Sequence, residues 1–214
     1  MSIILIPTSH IAEESIQKIK EVIEKVRPDC VAVELDEKRY IALKSEQSGS
    51  SMKSLGLSTF LIFTILKKLQ SKVGDIVGVM PGSDMLTAVD FAKEKNILVY
   101  FIDQDIQKTL YEIKKLKTKE KIKLIKYALA ATFYIYTGQG KKKIDLSKVP
   151  PEELIEQAME TFKITFPQLY KIIVEDRNQH MATNLRKLSE NHKIVVAVVG
   201  AGHRKGIKTL LENK

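Results

Sequence analysis

The chain has 214 residues, 44% of them hydrophobic, and a formal net charge of +9, which suits one globular α/β domain with helical additions. Cys30 is the single cysteine, which excludes an internal disulfide and a cysteine-built metal site and points to a reducing, cytoplasmic setting. No basic segment precedes the apolar N-terminal run, so no signal peptide is expected, and the apolar stretch 55–66 falls short of the ~20 residues that a membrane-spanning helix needs.

A first strand is predicted over 2–6. The helix after it, over 12–26, rests on Ile16, Ile19, Val22, Ile23 and Val26 at three- and four-residue spacing, with Pro28 ending it. A strand over 30–35 and a helix over 36–46 come next. A Ser/Gly-rich loop near 45–54 then leads to an apolar helix near 55–72. From Ser58 to Leu66 that helix is apolar around most of its circumference. It should therefore be covered, and a homodimer that uses the same patch twice is the simplest cover. Ser83, after Pro81 and Gly82, is the expected N-cap of a helix reaching about Lys95. A strand over 97–102 follows, then helices through much of 104–137 and a Gly/Lys loop at 138–145. Pro150-Pro151 opens a helical region that runs to about 190 with a break near Pro167. A strand over 194–199 and a terminal helix close the chain. Four short apolar strands joined by helices imply an α/β fold: a small, mostly parallel sheet with flanking helices. The expected organisation is a single domain, 1–214, with a large helical insertion at about 104–190.

The positive charge is local. From Ile106 to Lys143, eleven lysines stand against Glu112 and Glu120 alone, which equals the whole net charge of +9. Such a region could meet anionic lipid or nucleic acid. It contains no arginine, and aromatic residues are not interleaved as a base-stacking surface needs, so nucleic acid is not expected. A solvated helical face is the plainest reading, with peripheral membrane contact as the other.

Candidate functional residues sit where the strands end. The runs Ile3 to His10 and Ile194 to His203 both carry an apolar strand through a tight loop to one histidine, and the strand from Cys30 ends in Glu34. Ligands collect at the C-terminal strand ends of open α/β sheets, and two imidazoles with one carboxylate form a ligand set for a divalent transition metal. Plainer roles exist for each. A strand-end histidine can satisfy backbone groups, and Glu34 can pair with Arg39. Asp103 and Asp105 follow a strand end and either support a metal ligand or cap a helix. Arg39 and Arg177 stand out because the chain uses lysine about six times as often as arginine; a guanidinium kept against that bias suggests contact with a carboxylate or an oxyanion. His180 and His192 have weaker contexts and are not expected to be ligands.

These residues resemble the TraB/PrgY family, which is related to the Tiki proteins. The resemblance runs through Thr8-Ser9-His10, Arg27-Pro28-Asp29, Val31 to Leu35, Arg39-Tyr40 and Pro81 to Met85. It continues through Asp103 to Ile106, Glu175-Asp176-Arg177, Met181-Ala182 and Val199 to His203, and so covers nearly the whole chain. Tiki-like members carry two G-x-x-H motifs and a glutamate and are described as metal-dependent proteases; PrgY-like members are linked to blocking peptide pheromones. The second motif is intact here as Gly200-Ala201-Gly202-His203, whereas Pro7 stands where the first has glycine. The resemblance implies that His10, Glu34 and His203 bind manganese, cobalt or zinc, with Glu34 as third ligand or as the base. Arg39 or Arg177 would stabilise the oxyanion, and Asp103, Asp105 and Tyr40 would stand around the ligands. Peptide hydrolysis is the implied activity, and peptide capture without cleavage is its alternative. Many members carry transmembrane helices after this domain, and the sequence reads as a short member without them.

Overall fold

The computed structural model describes residues 2–8, 13–44, 83–137 and 151–213. At its centre β1 (Ser2–Thr8), β4 (Ile194–Gly200), β2 (Cys30–Val33) and β3 (Leu98–Phe101) lie side by side in that order. Every neighbouring pair is parallel, with Ile3 against Val195, Val31 against Val196 and Val33 against Phe101. The last strand is thus inserted between the first two. The helices are α1 (Glu13–Val26), α2 (Glu37–Lys44), α3 (Ser83–Glu94), α4 (Ile106–Lys114), α5 (Thr118–Thr137) and α6 (Glu152–Thr165). After them come α7 (Pro167–Tyr170), a π-helical turn Lys171–Glu175, α8 (Asp176–Asn191) and α9 (Ala201–Glu212).

The period-two alternation of the strands divides their side chains between two apolar layers. Val31, Val33, Val196 and Val198 pack with Ile19 and Ile23 of α1 and Met85 and Val89 of α3. Cys30, Ala32, Val195, Ala197 and Val199 pack with Met181 and Leu185 of α8 and Ile207 of α9. Cover on both faces explains why these strands are apolar almost without interruption. Between β3 and β4 the described residues form helices and no strand, and Ile113, Leu116, Phe166 and Leu169 make a small core of their own there.

Element boundaries shift for local reasons. Helix α1 ends as Arg27 turns to a left-handed φ of 49° and returns its N–H to the Ile23 carbonyl at 2.9 Å, one residue before Pro28. Strand β2 stops at Val33 rather than 35, which leaves Glu34 just beyond the ladder. Helix α3 starts at Ser83 itself. Pro7 lies in β1, at an edge of the described sheet, where the missing N–H is tolerated. Among the described residues no helix is long and apolar enough to cross a membrane. His10, the loop near 45–54, the apolar helix near 55–72 with its expected dimer surface, and the Gly/Lys loop lie outside the described residues.

Candidate functional site

Because the four strands run the same way, their C-terminal ends share one edge, and the polar residues that follow them meet there. Glu34 follows β2 directly, and its N–H still bonds the Val198 carbonyl at 3.0 Å. Asp103 stands two residues past β3; the Ile102 N–H bonds Val33 O at 3.0 Å and the Asp103 N–H bonds Leu35 O at 3.2 Å, so the two chain ends stay together. His203 comes from the first turn of α9, and Arg177 and Asn178 from the first turn of α8. Glu34, Asp103, Asn178 and His203 are all buried.

Arg177 is the hub of the cluster. Its Nε and Nη2 donate to Asp103 Oδ1 and Oδ2 at 3.0 and 2.7 Å, the two-pronged geometry that makes guanidinium–carboxylate pairs strong. Nη2 also donates to Glu34 Oε1 at 2.5 Å. Nη1 donates to the Ile173 carbonyl at 3.3 Å and lies 3.2 Å from His203 Nε2. Burial by itself would depress the Arg177 pKa, but the charge of Glu34 and the bonds to Asp103 outweigh it and push the pKa up. Ile173 belongs to the π-helical turn, a distortion that recurs at functional sites.

Both other polar groups are pinned. Glu34 Oε2 accepts the Gly200 N–H at 2.6 Å. His203 Nδ1 is 2.7 Å from Asn178 Oδ1, an atom that can only accept, so Nδ1 carries a proton and Nε2 is the ring nitrogen turned toward the cluster. Asn178 in turn lies against Gly206, where an added Cβ would come within 2.2 Å of its Nδ2. Among the described residues, two buried oxygens beyond the ends of the outer strands, Thr8 Oγ1 and Gln104 Oε1, find no hydrogen-bond partner.

Glu34 Oε1 and His203 Nε2 are 3.4 Å apart, and two ligands of a tetrahedral metal site with bonds of ~2.1 Å are separated by about 3.4 Å. The spacing matches one edge of such a site, but Arg177 Nη2 and Nη1 lie 2.5 and 3.2 Å from the same two atoms, so the guanidinium fills that edge and must turn aside before a cation can bridge them. Among the described residues no group of three His, Cys, Asp or Glu side chains could hold a metal ion, so a complete set needs His10 or another residue outside them.

The remaining expected residues fall around this centre. The partner of Glu34 is Arg177 and not Arg39, which corrects the simple pairing along the chain; Arg39 is more exposed, with Nη1 4.0 Å from Asp103 Oδ2. Asp105 caps α4, accepting the Gln107 N–H at 2.8 Å, and pairs with Lys38 at 2.5 Å. The Lys38 bond, with that of Gln107, holds its carboxyl below the usual range. Tyr40 packs on Phe101 with ring centroids 4.9 Å apart, and a 3.0 Å bond from Lys93 lowers its phenol pKa. His180 contacts Asn184, and His192 contacts Tyr100. Asn178 and Gly206 are site residues that sequence reasoning missed. A glycine inside a helix, three positions after the motif histidine, was the available signal for close packing.

A family model described as the TraB/PrgY/gumN family matches residues 1–214. The chain is 32% identical over 219 residues to an uncharacterized protein of Methanocaldococcus jannaschii, covering 98% of this chain and 53% of that protein. It is 24% identical over 235 residues to the TraB domain-containing proteins of Homo sapiens and Bos taurus, covering 95% of this chain and 61% of each of them. The chain therefore spans between half and two thirds of the length of these curated relatives.

Proposed function

This chain belongs to the TraB/PrgY/gumN family, and from that premise we propose that it is a metal-dependent peptide hydrolase whose active centre is the buried cluster around Arg177. The observation that supports this most is the 3.4 Å spacing of Glu34 Oε1 and His203 Nε2, which suits two ligands of one cation. In this reading His203 and Glu34 hold manganese, cobalt or zinc, with His10 as the third ligand. When bound, such a cation lowers the pKa of its water and polarises a carbonyl. Asn178 fixes the imidazole by accepting from Nδ1, as partners of ligand histidines do. Gly200 fixes the second oxygen of Glu34. Arg177, which contacts both Glu34 and His203, would turn aside to admit the cation while Asp103 keeps hold of it, and would then supply positive charge to the oxygen that becomes negative as a peptide carbonyl is attacked. Arg39 binds substrate carbonyl or carboxylate groups at the more exposed rim, and Asp105 and Tyr40 brace that rim through Lys38 and Lys93.

One observation favours a second reading, a peptide-binding module that captures without cutting. Arg177, with Arg39 nearby, already balances Glu34 and Asp103, so the cluster has its counter-charge without an added cation. Mass spectrometry of a peptide library incubated with metal-loaded protein separates the two. Fragments that fall by orders of magnitude in Glu34→Gln support the hydrolase. Peptide retained intact with every metal supports the module, and identical fragments from both proteins would remove Glu34 from its role. Elemental analysis of wild type beside His10→Ala and His203→Ala checks the ligand set.

A further inference from the structure

The lysine-rich segment shows a feature that its sequence did not announce. Five large apolar side chains are exposed on or beside it: Tyr111 at 60%, Ile122 at 49%, Tyr127 at 56%, Leu129 at 57% and Ile164 at 73%. On α5, Lys119, Ile122, Lys123, Lys126 and Leu129 recur at three- and four-residue spacing and so share one broad face. Lys123 Nζ donates to the Thr165 carbonyl at 2.7 Å, which fastens the end of α6, with Ile164, beside that face. Glu112 and Glu120 do little to offset the lysines around them. Glu112 pairs with Lys115 at 3.0 Å, and Glu120 accepts the Leu169 N–H at 3.1 Å.

We propose that this face of α5 docks on an anionic lipid bilayer, lying in the plane of the headgroups. Its lysine ammonium groups would meet lipid phosphates and carboxylates while Ile122, Leu129 and Ile164 enter the acyl boundary, the division of labour of interfacial amphipathic helices. Two competing occupants fit the same surface less well. Nucleic acid would reward the lysines and find Tyr111 and Tyr127 exposed for stacking, but it would leave Ile122, Leu129 and Ile164 in water, and the stretch 106–143 has no arginine to read base edges. A second copy of the chain would set like charges against like. The inference is independent of the peptide chemistry proposed above.

Sedimentation of the full chain with phosphatidylcholine vesicles, with and without about one third phosphatidylserine, tests it. Binding is expected only to the anionic vesicles and should weaken as salt is raised. Each lysine near such a surface is worth about fivefold in partitioning, so Lys119→Glu with Lys126→Glu should reduce binding by more than about 25-fold. Ile122→Ser with Leu129→Ser keeps the charge and should also weaken binding; thermal melts confirm that both variants stay folded. Equal binding to neutral and anionic vesicles, or none to either, overturns the proposal. So does binding to a duplex oligonucleotide without vesicle binding, or a concentration-dependent oligomer abolished by the Ile122 and Leu129 changes.

Discussion

At the scale of single residues, His203 depends on two groups that have no chemistry of their own. Asn178→Ala removes the 2.7 Å partner of Nδ1, and outer partners of ligand histidines are worth about 10–100-fold in metal affinity or activity. Gly206→Ala would force the Asn178 amide away, because the new Cβ would lie 2.2 Å from it; overpacking of this kind adds a stability cost of about 1–3 kcal/mol. Since both changes act through the same amide, metal affinity by titration calorimetry should be about as poor in the double variant as in either single one. Fully additive losses would show that Gly206 does not work through Asn178. Burial holds the His180 imidazole below its ordinary value of 6.5, against the opposing charge of Asp103. The unfolded chain therefore takes up this proton first as pH falls, so the stabilising contribution is complete above about 6.5 and is lost as pH falls through the folded value. Melting temperature should decline on acidification from about pH 7 to 5, and His180→Gln should remove part of that decline. An unchanged slope would assign it to other groups.

At the scale of elements, β2 is flanked by strands on both sides and helices on both faces, and Cys30 reports on this enclosure. Burial, with Asp29 adding to it, pushes the Cys30 thiol up to about 11, and the side chain is fully buried. The thiolate is the reactive species, so a disulfide-exchange reagent should find no reactive thiol in the folded chain and one per chain after denaturation. Rapid labelling of native protein would mean that β2 opens readily. The strands were legible as continuous apolar runs because burial on two faces imposes that pattern. The π-helical turn before Arg177 was not, since Lys171 to Glu175 differs from ordinary helical sequence in no residue type.

At the scale of the whole molecule, family membership extends across residues 1–214, while assembly rests on sequence alone. The run from Ser58 to Leu66 would be apolar around most of a helix, as its sequence predicts, and is proposed to be covered by a second copy. Light scattering at micromolar concentration should report a dimer, and Phe60→Asp with Phe63→Asp should return a monomer without unfolding it. A wild-type monomer across that range removes the proposal. The net charge of +9 was fully readable as a local surplus of lysines. Its interleaving with exposed Ile122, Tyr127 and Leu129 was not, because helical spacing alone does not reveal which apolar side chains find a neighbouring element to cover them.

The sequence by itself determined the parallel α/β sheet, the placing of Glu34, Asp103 and His203 at strand ends and helix starts, and the identity of the family, because apolar periodicity and strand-end motifs are local properties of the chain. Only the tertiary structure decided how those residues pair. Arg177 lies 143 positions from Glu34 and 74 from Asp103, yet the insertion of β4 between β1 and β2, with α8 packed on the sheet, brings all three together with His203. The nearer Arg39 is left on the rim. Buried charges are neutralised by whichever cation the packing delivers in the right orientation, and that depends on strand order and helix docking, which distance along the sequence does not encode.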